Sequence, residues 1–502
     1  MNAPPFRTDG FGARHGLLLL GVFLATRGAL LAFGLRFHLD LAWMFLGDPD
    51  ALRDRLFETV YYFHAFAPGM NLITGALLKL GAAHLSWSAA ALFWASGYLL
   101  LVASCQLFQL LGCSKWTATL LALGLSLVPQ SLYLENLYLY THLCTSLLCW
   151  TAVAFHRALA RGAVRSWFGF FLPCAVLGWL YTAFHLFWFL LLAGLAWALA
   201  GRGRRRAVLL GGALPLALLS GLYVKNYAVF GVFGATSWGG ANVTLATTQF
   251  MDGEQRREWI DYGELSRFAE ISVFAGPEAY LPFFPADQHF PWPTTNELTK
   301  PALGTPNFNH GIFLAVNRQR QKDASHFIRQ EPGQYLRTVF ERNLPNMFSS
   351  TTHWHEADQK PSSPHYQHRR VLGRYERFYD RLVHSWPAQP VGLYWFLPLF
   401  YLWAAGSCWK DCRSSELGVR WRGLLLGFCL LQIAFVVTAS SLFSALESAR
   451  YRYGIEPFIW AVVAVGLRAA VHRFGPGLWE LFMEKRAEKD KLGIAPGPSA
   501  SS

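Results

Sequence analysis

Charged residues are scarce in this chain: Asp, Glu, Lys and Arg together make up 15% of its 502 residues, against about 25% in an average globular protein. Hydrophobic residues make up 53% and are concentrated in long runs. Such a chain lacks the polar surface needed to cover several soluble cores. The composition therefore excludes an ordinary cytosolic enzyme, a disordered chain and a coiled coil, and it favours a polytopic α-helical membrane protein.

The sequence also lacks the short motifs of common soluble enzymes. It contains no GxxxxGK[ST] loop for nucleotide phosphates, no HExxH zinc motif and no pair of CxxC motifs. None of its eight cysteines lies in residues 226–390, so we expect no disulfide framework in that long polar segment. The net charge of +13 would suit nucleic acid, but the positions of the basic residues indicate membrane topology instead.

Ten apolar runs come close to the roughly 20 residues that a membrane-spanning helix needs. They are 16–35, 88–111, 117–134, 141–157, 166–182, 184–200, 207–225, 391–409, 423–441 and 453–470. If all ten cross, the basic clusters beside them fall on one side, which the positive-inside rule makes the cytoplasm. We therefore expect a multi-pass protein of the cell (inner) membrane with both termini cytoplasmic and no nucleic-acid partner. A shorter run, 67–83, contains Pro68 and Lys79, which favours a re-entrant or juxtamembrane helix.

This topology divides the chain into four parts. They are an N-terminal membrane module (1–225), an extracytoplasmic domain (226–390, called the polar domain below), C-terminal transmembrane helices (391–470) and a cytoplasmic tail (471–502). In the polar domain we expect a mixed α/β fold. Residues Val229 to Val232 are typical of a strand, and Leu314 to Phe340 show an amphipathic helical pattern interrupted at Pro332.

The loop after the first span, residues 36–66 (the first loop), carries two candidate catalytic acids. Asp40 lies between apolar residues near the membrane surface, where loss of hydration would raise the pKa of its carboxyl group and suit a general base. A solvated loop carboxylate is the alternative. Asp48 precedes Pro49 at the start of a helical pattern, so capping of that helix competes with a catalytic role. His64 ends the loop, after an amphipathic helix that we expect to lie on the membrane surface.

Three further residues are candidates for substrate binding. Glu135 and Tyr138 lie at the boundary of a predicted span, on the same side as the first loop, and the glutamate is either a binding group or a solvated loop acid. His185 stands in an almost wholly apolar stretch and is either an interior histidine or faces a cavity. Arg27 lies inside the first span, where a charge facing lipid is costly, so we expect it to face the helix bundle or a polar cavity.

Two arginines stand where the positive-inside rule does not predict them. Arg450 and Arg452 precede the last span on the side opposite the basic clusters, so their presence needs another reason. Guanidinium groups there are suited to binding the phosphate of an anionic lipid. The alternative is a structural ion pair with Glu447 or Glu456.

The order of these features resembles the GT-C glycosyltransferase superfamily, which includes the protein O-mannosyltransferases and the lipid A aminoarabinose transferases. The resemblance covers most of residues 16–470. It is carried by an acid, Asp40, in the loop after a long first span, and by the segments HAFAPGMN, LENLYLYTH, KNYAVFGVFGATSWGGANVT and RYRYGIEPF. Leu41 follows Asp40 where the best-known members have a second acid, which leaves Asp48 as the alternative base.

The resemblance implies an inverting transferase that moves a sugar from a polyprenyl-phosphate-linked donor to a lipid, glycan or protein acceptor at the extracytoplasmic face of the bilayer. In that hypothesis Asp40 deprotonates the acceptor. Arg450 or Arg452, with His64, stabilises the departing lipid phosphate.

No cofactor is certain, although oxygen atoms of Asp40, Asp48 and Glu135 are suited to a divalent cation. A lipid-linked polysaccharide polymerase or ligase is one alternative function and differs only in its acceptor and product. A transporter or flippase is another, and it should show charges at mid-depth on several spans and related halves. A non-catalytic scaffold is the third, and it leaves Arg450 and Arg452 without a role.

Overall fold

The regular structure of this chain is helical throughout the part that the computed structural model describes, which is residues 12–285, 288–350, 364–383, 393–443 and 448–491. Within those ranges the only β pairing is two isolated bridges, His38–Leu137 and Thr299–Pro306. The mixed α/β fold expected for the polar domain is therefore not found in its described residues.

The helices follow one another with short connections. Up to residue 230 they are α1 (Ala13–Ala32), α2 (Pro49–Asp54), α3 (Leu56–Tyr61), α4 (Gly69–Gly81), α5 (Leu85–Leu110), α6 (Lys115–Leu127), α7 (Pro129–Glu135), α8 (Tyr140–Arg161), α9 (Val164–Leu180), α10 (Leu186–Leu199) and α11 (Arg205–Phe230). Two 3-10 turns in this part are Ala82–His84 and Arg202–Arg204.

The polar domain combines two long helices, Ile312–Gln330 and Pro364–Val383, with short helices and turns, and three further helices follow it. The α-helices are α12 (Gly239–Ala246), α13 (Gly253–Asp261), α14 (Ile312–Gln330), α15 (Pro332–Thr338), α16 (Leu344–Asn346), α17 (Pro364–Val383), α18 (Leu397–Cys412), α19 (Leu417–Phe443) and α20 (Ser448–Lys491). The 3-10 turns are Thr248–Phe250, Arg267–Ala269, Pro277–Phe283, Pro293–Thr295 and Leu393–Phe396, and Val339–Asn343 forms a π turn.

Each of the ten predicted spans coincides with a helix or, for 117–134, with the bent pair α6 and α7. Residues 391 and 392 of the eighth span lie outside the described residues. By length and composition alone, five helical segments of the described chain could cross a membrane, or six if α6 and α7, bent by 61°, form one span. The five are Ala13–Ala32, Gly69–Leu110, Tyr140–Arg161, Arg202–Phe230 and Leu417–Phe443. The fold is thus consistent with an all-helical membrane protein, with fewer crossings supported by length than the ten predicted.

Close helix packing is allowed by small residues around a central helix. α8 packs against α5, α9, α19 and α20, and 78% of its apolar stretch is buried. α9 and α11 lie so close together that a Cβ atom added at Gly211 would be 2.6 Å from the Trp167 side chain, and one added at Gly178 would be 2.6 Å from Leu219. Glycine at these positions lets the two backbones come together, as small residues do between membrane helices.

The first loop folds onto α4, which occupies the short apolar run predicted to form a partial helix. The predicted amphipathic surface helix is instead two short helices, α2 and α3, because the chain breaks at Arg55. Leu52 and Leu56 still point to one side and pack with Leu78 of α4. The approach requires Gly75, since a Cβ atom there would lie 2.3 Å from Leu56.

One local prediction for the polar domain is wrong and another is confirmed. The predicted strand over Val229 to Val232 does not form, because α11 continues through Phe230 and ends at Gly231 with a φ of 68°. This left-handed conformation is a common way to end a helix and favours glycine. The interruption at Pro332 is confirmed, since a new helix begins there; proline has no N–H to donate inside a helix.

Arg27 and Glu135 form a buried ion pair that joins α1 to the end of α7. The Nε and Nη2 atoms of Arg27 donate to the two carboxylate oxygens at 2.8 and 2.6 Å, and the side chains are 3% and 1% exposed. Nη2 also donates to the Ser126 carbonyl at 3.0 Å. Gly97 leaves room for the pair, since a Cβ atom there would lie 2.5 Å from the Glu135 carboxylate. The prediction that Arg27 faces the helix bundle is confirmed.

Removing one partner of this pair should destabilise the protein far more than removing both. We expect Glu135→Leu to lower the free energy of unfolding by about 3–5 kcal/mol, because an uncompensated guanidinium stays buried. The double variant Arg27→Met with Glu135→Leu should recover most of that loss. Unfolding of the purified protein in detergent measures both variants, and a double variant no more stable than Glu135→Leu would contradict this account.

Candidate functional site

Lys300 fastens the first loop to the polar domain. Its ammonium nitrogen Nζ donates to three consecutive backbone carbonyls, of Leu41, Ala42 and Trp43, at 3.4, 3.2 and 2.7 Å. The residue is 1% exposed. It lies in a tight turn in which its own N–H donates to the Thr305 carbonyl at 2.7 Å. The contact joins two parts of the chain that are about 260 residues apart in sequence.

Asp40 is half-buried beside this contact. The Oδ1 atom of Asp40 accepts the N–H of Ala42 at 2.8 Å, and the carbonyl of Ala42 accepts from Lys300. Burial lowers the pKa of Lys300 to about 8, and the nearby charges of Asp40 and Asp48 oppose that shift. The backbone that presents Asp40 is therefore held by hydrogen bonds from both the loop and the polar domain.

Asp48 caps α2, which is one of the two roles that the sequence left open for it. Its Oδ1 accepts the N–H groups of Asp50 and Ala51 at 3.0 and 3.1 Å, and its Oδ2 accepts that of Ala302 at 2.9 Å. Beside it lies a cavity of about 350 Å³ between the first loop and the polar domain, which we call the polar cleft. Its polar lining includes Asp48, Asp54, Arg55, Glu297, Lys300 and Asn309.

His64 makes a second set of hydrogen bonds between the first loop and the polar domain. Its backbone N–H donates to Oδ1 of Asn309 at 2.8 Å, its carbonyl accepts from the Ser237 N–H at 2.8 Å, and its ring Nδ1 lies 2.8 Å from the Ser237 hydroxyl. Burial, assisted by the positive charge of Lys225, lowers the pKa of His64 to about 3. The imidazole is neutral at physiological pH, so it offers no positive charge to a lipid phosphate.

A second cavity, of about 360 Å³, lies where α12, α19 and α20 meet the loop before α10, and we call it the apolar cavity. Its lining includes Tyr181, His185, Val243, Phe435, Val436, Ala439, Phe443 and Arg450. The Arg450 guanidinium is buried in this wall. It donates to the Tyr140 hydroxyl at 3.3 Å and lies 5.4 Å from the ring centres of Tyr140 and Tyr451. Two predicted binding residues, His185 and Arg450, therefore share one cavity.

A row of aromatic rings leads from the first loop to the apolar cavity. Phe45 contacts Tyr140 at 5.1 Å between ring centres, Tyr140 contacts Tyr181 at 4.9 Å, and Tyr181 contacts Tyr451 at 5.5 Å. A small gap is lined by Phe45, Tyr140 and Tyr181, and the last of these also lines the apolar cavity. Tyr181 therefore lies between the gap that Phe45 of the first loop lines and the cavity that contains Arg450.

Arg452 has the structural role that the sequence left as an alternative. Its Nε lies 3.3 Å from the Glu456 carboxylate, and its Nη1 donates to the carbonyls of Met347 and Ser349 at 2.7 and 2.6 Å. The Tyr394 hydroxyl donates to the same glutamate. Glu447, the other predicted partner, lies outside the described residues.

The structure does not bring all the predicted site residues together. Glu135 is held by Arg27, and the Tyr138 hydroxyl is buried against the Thr74 hydroxyl at 2.8 Å. Asp40 and His64 lie at the contact with the polar domain and line neither cavity. Among the described residues no group of three His, Cys, Asp or Glu side chains is arranged to hold a metal ion. The predicted oxygen cluster for a divalent cation is thus not formed there.

Fold and site together define an all-helical protein, consistent with membrane insertion, whose polar domain closes over an acidic loop next to an apolar cavity. Comparison with known proteins finds no matching family model and no matching curated protein. Sequence reasoning missed Lys300 and Tyr140. A lysine in a polar segment carries no local signal of burial, and tyrosines are common at membrane interfaces.

Replacing Lys300 should loosen the first loop. In Lys300→Met the three carbonyls lose a charged donor, a contact of the kind worth about 1.5–3 kcal/mol. We therefore expect backbone amides in residues 40–47 to exchange hydrogen roughly 10-fold faster or more, measured by mass spectrometry. Lys322→Met, an exposed lysine on α14, should leave the exchange unchanged. Equal exchange in the two variants would contradict the proposed fastening.

His64 should make the protein less stable in acid. The folded protein keeps this imidazole neutral down to about pH 3, whereas an unfolded chain takes up the proton near pH 6.5. The unfolded state thus binds more protons between these values, so stability falls as pH falls below about 6.5, by up to about 1.4 kcal/mol per pH unit. Unfolding measured from pH 7.5 to 5 should show a shallower loss in His64→Asn. The exposed His289→Asn should keep the original slope, and identical slopes in all three proteins would refute the assignment.

Proposed function

We propose that the chain is a membrane glycosyltransferase of the GT-C type, which transfers a sugar from a polyprenyl-phosphate-linked donor to an acceptor. The observation that carries this proposal is the apolar cavity with Arg450 in its wall. A polyprenyl phosphate combines a long apolar tail with an anionic group, and the cavity combines an apolar lining with a buried guanidinium. Its volume of about 360 Å³ lies within the range of about 300–1,000 Å³ typical of ligand pockets.

The proposal includes a topology with ten crossings. The short helices α9 and α10 and the bent pair α6–α7 would cross in addition to the long apolar helices. The basic clusters beside the spans, from Arg157 to Arg165 and from Arg202 to Arg206 for example, would then face the cytoplasm. The first loop, the polar domain and the apolar cavity would lie on the extracytoplasmic side of a cell (inner) membrane, with both termini inside.

Arg450 is the proposed ligand of the donor phosphate. Arg452 already binds Glu456 and two backbone carbonyls, so its donors are committed to the fold. Arg450 faces the cavity together with His185, where its guanidinium also donates to the Tyr140 hydroxyl at 3.3 Å. A guanidinium suits this task, because its fixed N–H donors match two phosphate oxygens.

Asp40 is the proposed general base. The carboxylate of Asp48 accepts three backbone N–H groups through its two oxygens, and that of Glu135 is neutralised by Arg27. Asp40 uses Oδ1 to accept from Ala42 and is half-buried rather than enclosed. Phe45 of the same loop lines a small gap together with Tyr181, which also lines the apolar cavity, and this proximity supports a role near the donor.

In the proposed reaction an acceptor hydroxyl oxygen forms a bond to the anomeric carbon of the sugar while Asp40 takes the hydroxyl proton. The bond between that carbon and the phosphate oxygen breaks, and its electron pair leaves with the polyprenyl phosphate. Arg450 offsets the negative charge that grows on the departing phosphate. Attack opposite the leaving group inverts the anomeric configuration.

The polar cleft is the proposed acceptor site. Its charged and amide side chains, among them Glu297 and Asn309, are suited to the hydroxyl groups of a glycan, lipid or protein. If the acceptor is a growing polysaccharide, the same chemistry would make the chain a lipid-linked polymerase or ligase, and analysis of the product distinguishes the two.

The test compares two carboxylates in the same loop. Asp40→Asn should lower sugar transfer by about 10²–10⁴-fold, because asparagine does not accept the proton. Glu58→Gln should keep most of the activity, because Glu58 lines neither cavity and its ion pair with Arg55 is exposed, so it contributes little to stability. Release of polyprenyl phosphate from a panel of polyprenyl-phosphate sugars, in vesicles containing the purified protein, measures both.

Both variants should accumulate in the membrane and unfold at the same temperature as the original protein. Unchanged transfer in Asp40→Asn would reject this residue as the base. No transfer by the original protein from any donor of the panel, with the folded chain present, would count against the glycosyltransferase itself.

A further inference from the structure

Helix α17 has three faces that differ in burial and charge. One face is buried and consists of His368, Leu372, Glu376, Tyr379 and Val383. The second is exposed and apolar, with Tyr375, Phe378 and Leu382 at 39%, 67% and 54% exposure. The third is a row of exposed arginines at positions i, i+4, i+7 and i+11, namely Arg370, Arg374, Arg377 and Arg381. At 3.6 residues per turn, the arginine row runs beside the apolar row along the whole helix.

The buried face fixes the helix against the ends of α1 and α7. Leu372 packs with Leu35 and Leu132, and the ring of His368 lies 5.0 Å from that of Tyr133. The Tyr375 hydroxyl donates to the Leu127 carbonyl at 3.0 Å. Leu35 lies three residues after the end of α1 and just before the first loop, so α17 lies at the boundary of the helix bundle where that loop begins.

The arginine row is not explained by contacts within the fold. In the part of the chain that the structure describes, no carboxylate lies within 4 Å of Arg370, Arg374, Arg377 or Arg381. These are also basic residues on the side of the membrane where the positive-inside rule does not predict them. Four like charges in one exposed row repel one another, so an anionic partner would stabilise the arrangement.

We propose that α17 lies in the lipid–water interface and that its arginine row binds the head groups of anionic phospholipids. The exposed apolar row would enter the acyl region, and the arginines beside it would reach the phosphates. This is the arrangement of an interfacial amphipathic helix, for which apolar burial and attraction to anionic lipid add together. The inference rests on the proposed membrane topology and not on the transferase activity, so failure of one leaves the other standing.

Photo-crosslinking of the full chain tests this directly. The photoreactive residue p-benzoylphenylalanine replaces Phe378, and the protein is reconstituted in vesicles of phosphatidylcholine with a minor share of phosphatidylglycerol. We expect phospholipid adducts after irradiation, with phosphatidylglycerol enriched several-fold over its share of the vesicle. The same residue placed at Glu254, on the exposed polar helix α13, should give no lipid adduct.

A matched pair of fourfold variants tests the arginine row. With Arg370, Arg374, Arg377 and Arg381 all changed to Gln, lipid adducts should persist but the enrichment of phosphatidylglycerol should vanish. A control with the exposed Arg257, Arg267, Arg318 and Arg329 changed to Gln should keep it. Adducts only to protein at position 378, no enrichment in the original protein, or enrichment unchanged in the first variant would each overturn the proposal.

Discussion

The contact between the Lys300 ammonium and three backbone carbonyls of the first loop is the interaction on which the site depends. Burying an ammonium group is costly unless its N–H groups have acceptors. The three carbonyls of residues 41–43 supply these acceptors, so the position of Lys300 in the polar domain fixes the position of this part of the first loop. Two further hydrogen bonds join the same two parts, from the His64 N–H to the Asn309 side-chain oxygen and from the Ala302 N–H to the Asp48 carboxylate. The position of Asp40 and the shape of the polar cleft both follow from this docking.

The helix bundle positions the other side of the site. The Arg27–Glu135 pair holds α7 against α1, and the chain then turns into Asn136 and Tyr138, whose backbones pair with His38 of the first loop. From there the aromatic row continues to Arg450. The Arg27–Glu135 pair thus helps to position the segment that leads to Tyr140, whose ring lies between Phe45 of the first loop and Tyr181 of the apolar cavity.

Features governed by neighbouring residues were predictable from the sequence. The long apolar runs identified the helices, Asp48-Pro49 indicated a helix cap as one of two roles for Asp48, and Pro332 identified the break before α15. Each depends on periodicity, proline chemistry or a local hydrogen bond. The strand at Val229 to Val232 failed for a related reason, since four residues of strand preference do not outweigh a long helix already in progress.

Features governed by distant partners were not predictable in the same way. Glu135 meets Arg27 across 108 residues, and its spacing from apolar neighbours contains no sign of that partner. Of the two arginines at the start of α20, Arg450 faces a cavity and Arg452 binds Glu456, although they are only two residues apart. Residues two positions apart in a helix point about 200° away from each other. The packing of the other helices therefore decides which of the two faces the cavity.

An experimental structure of the protein with a bound polyprenyl-phosphate sugar tests the central claim most directly. The account predicts the prenyl chain in the apolar cavity along Phe435 and Val436, with phosphate oxygens at hydrogen-bonding distance, about 3 Å, from the Arg450 guanidinium. A lipid bound elsewhere on the helix bundle, or a phosphate that makes no contact with Arg450, would contradict it.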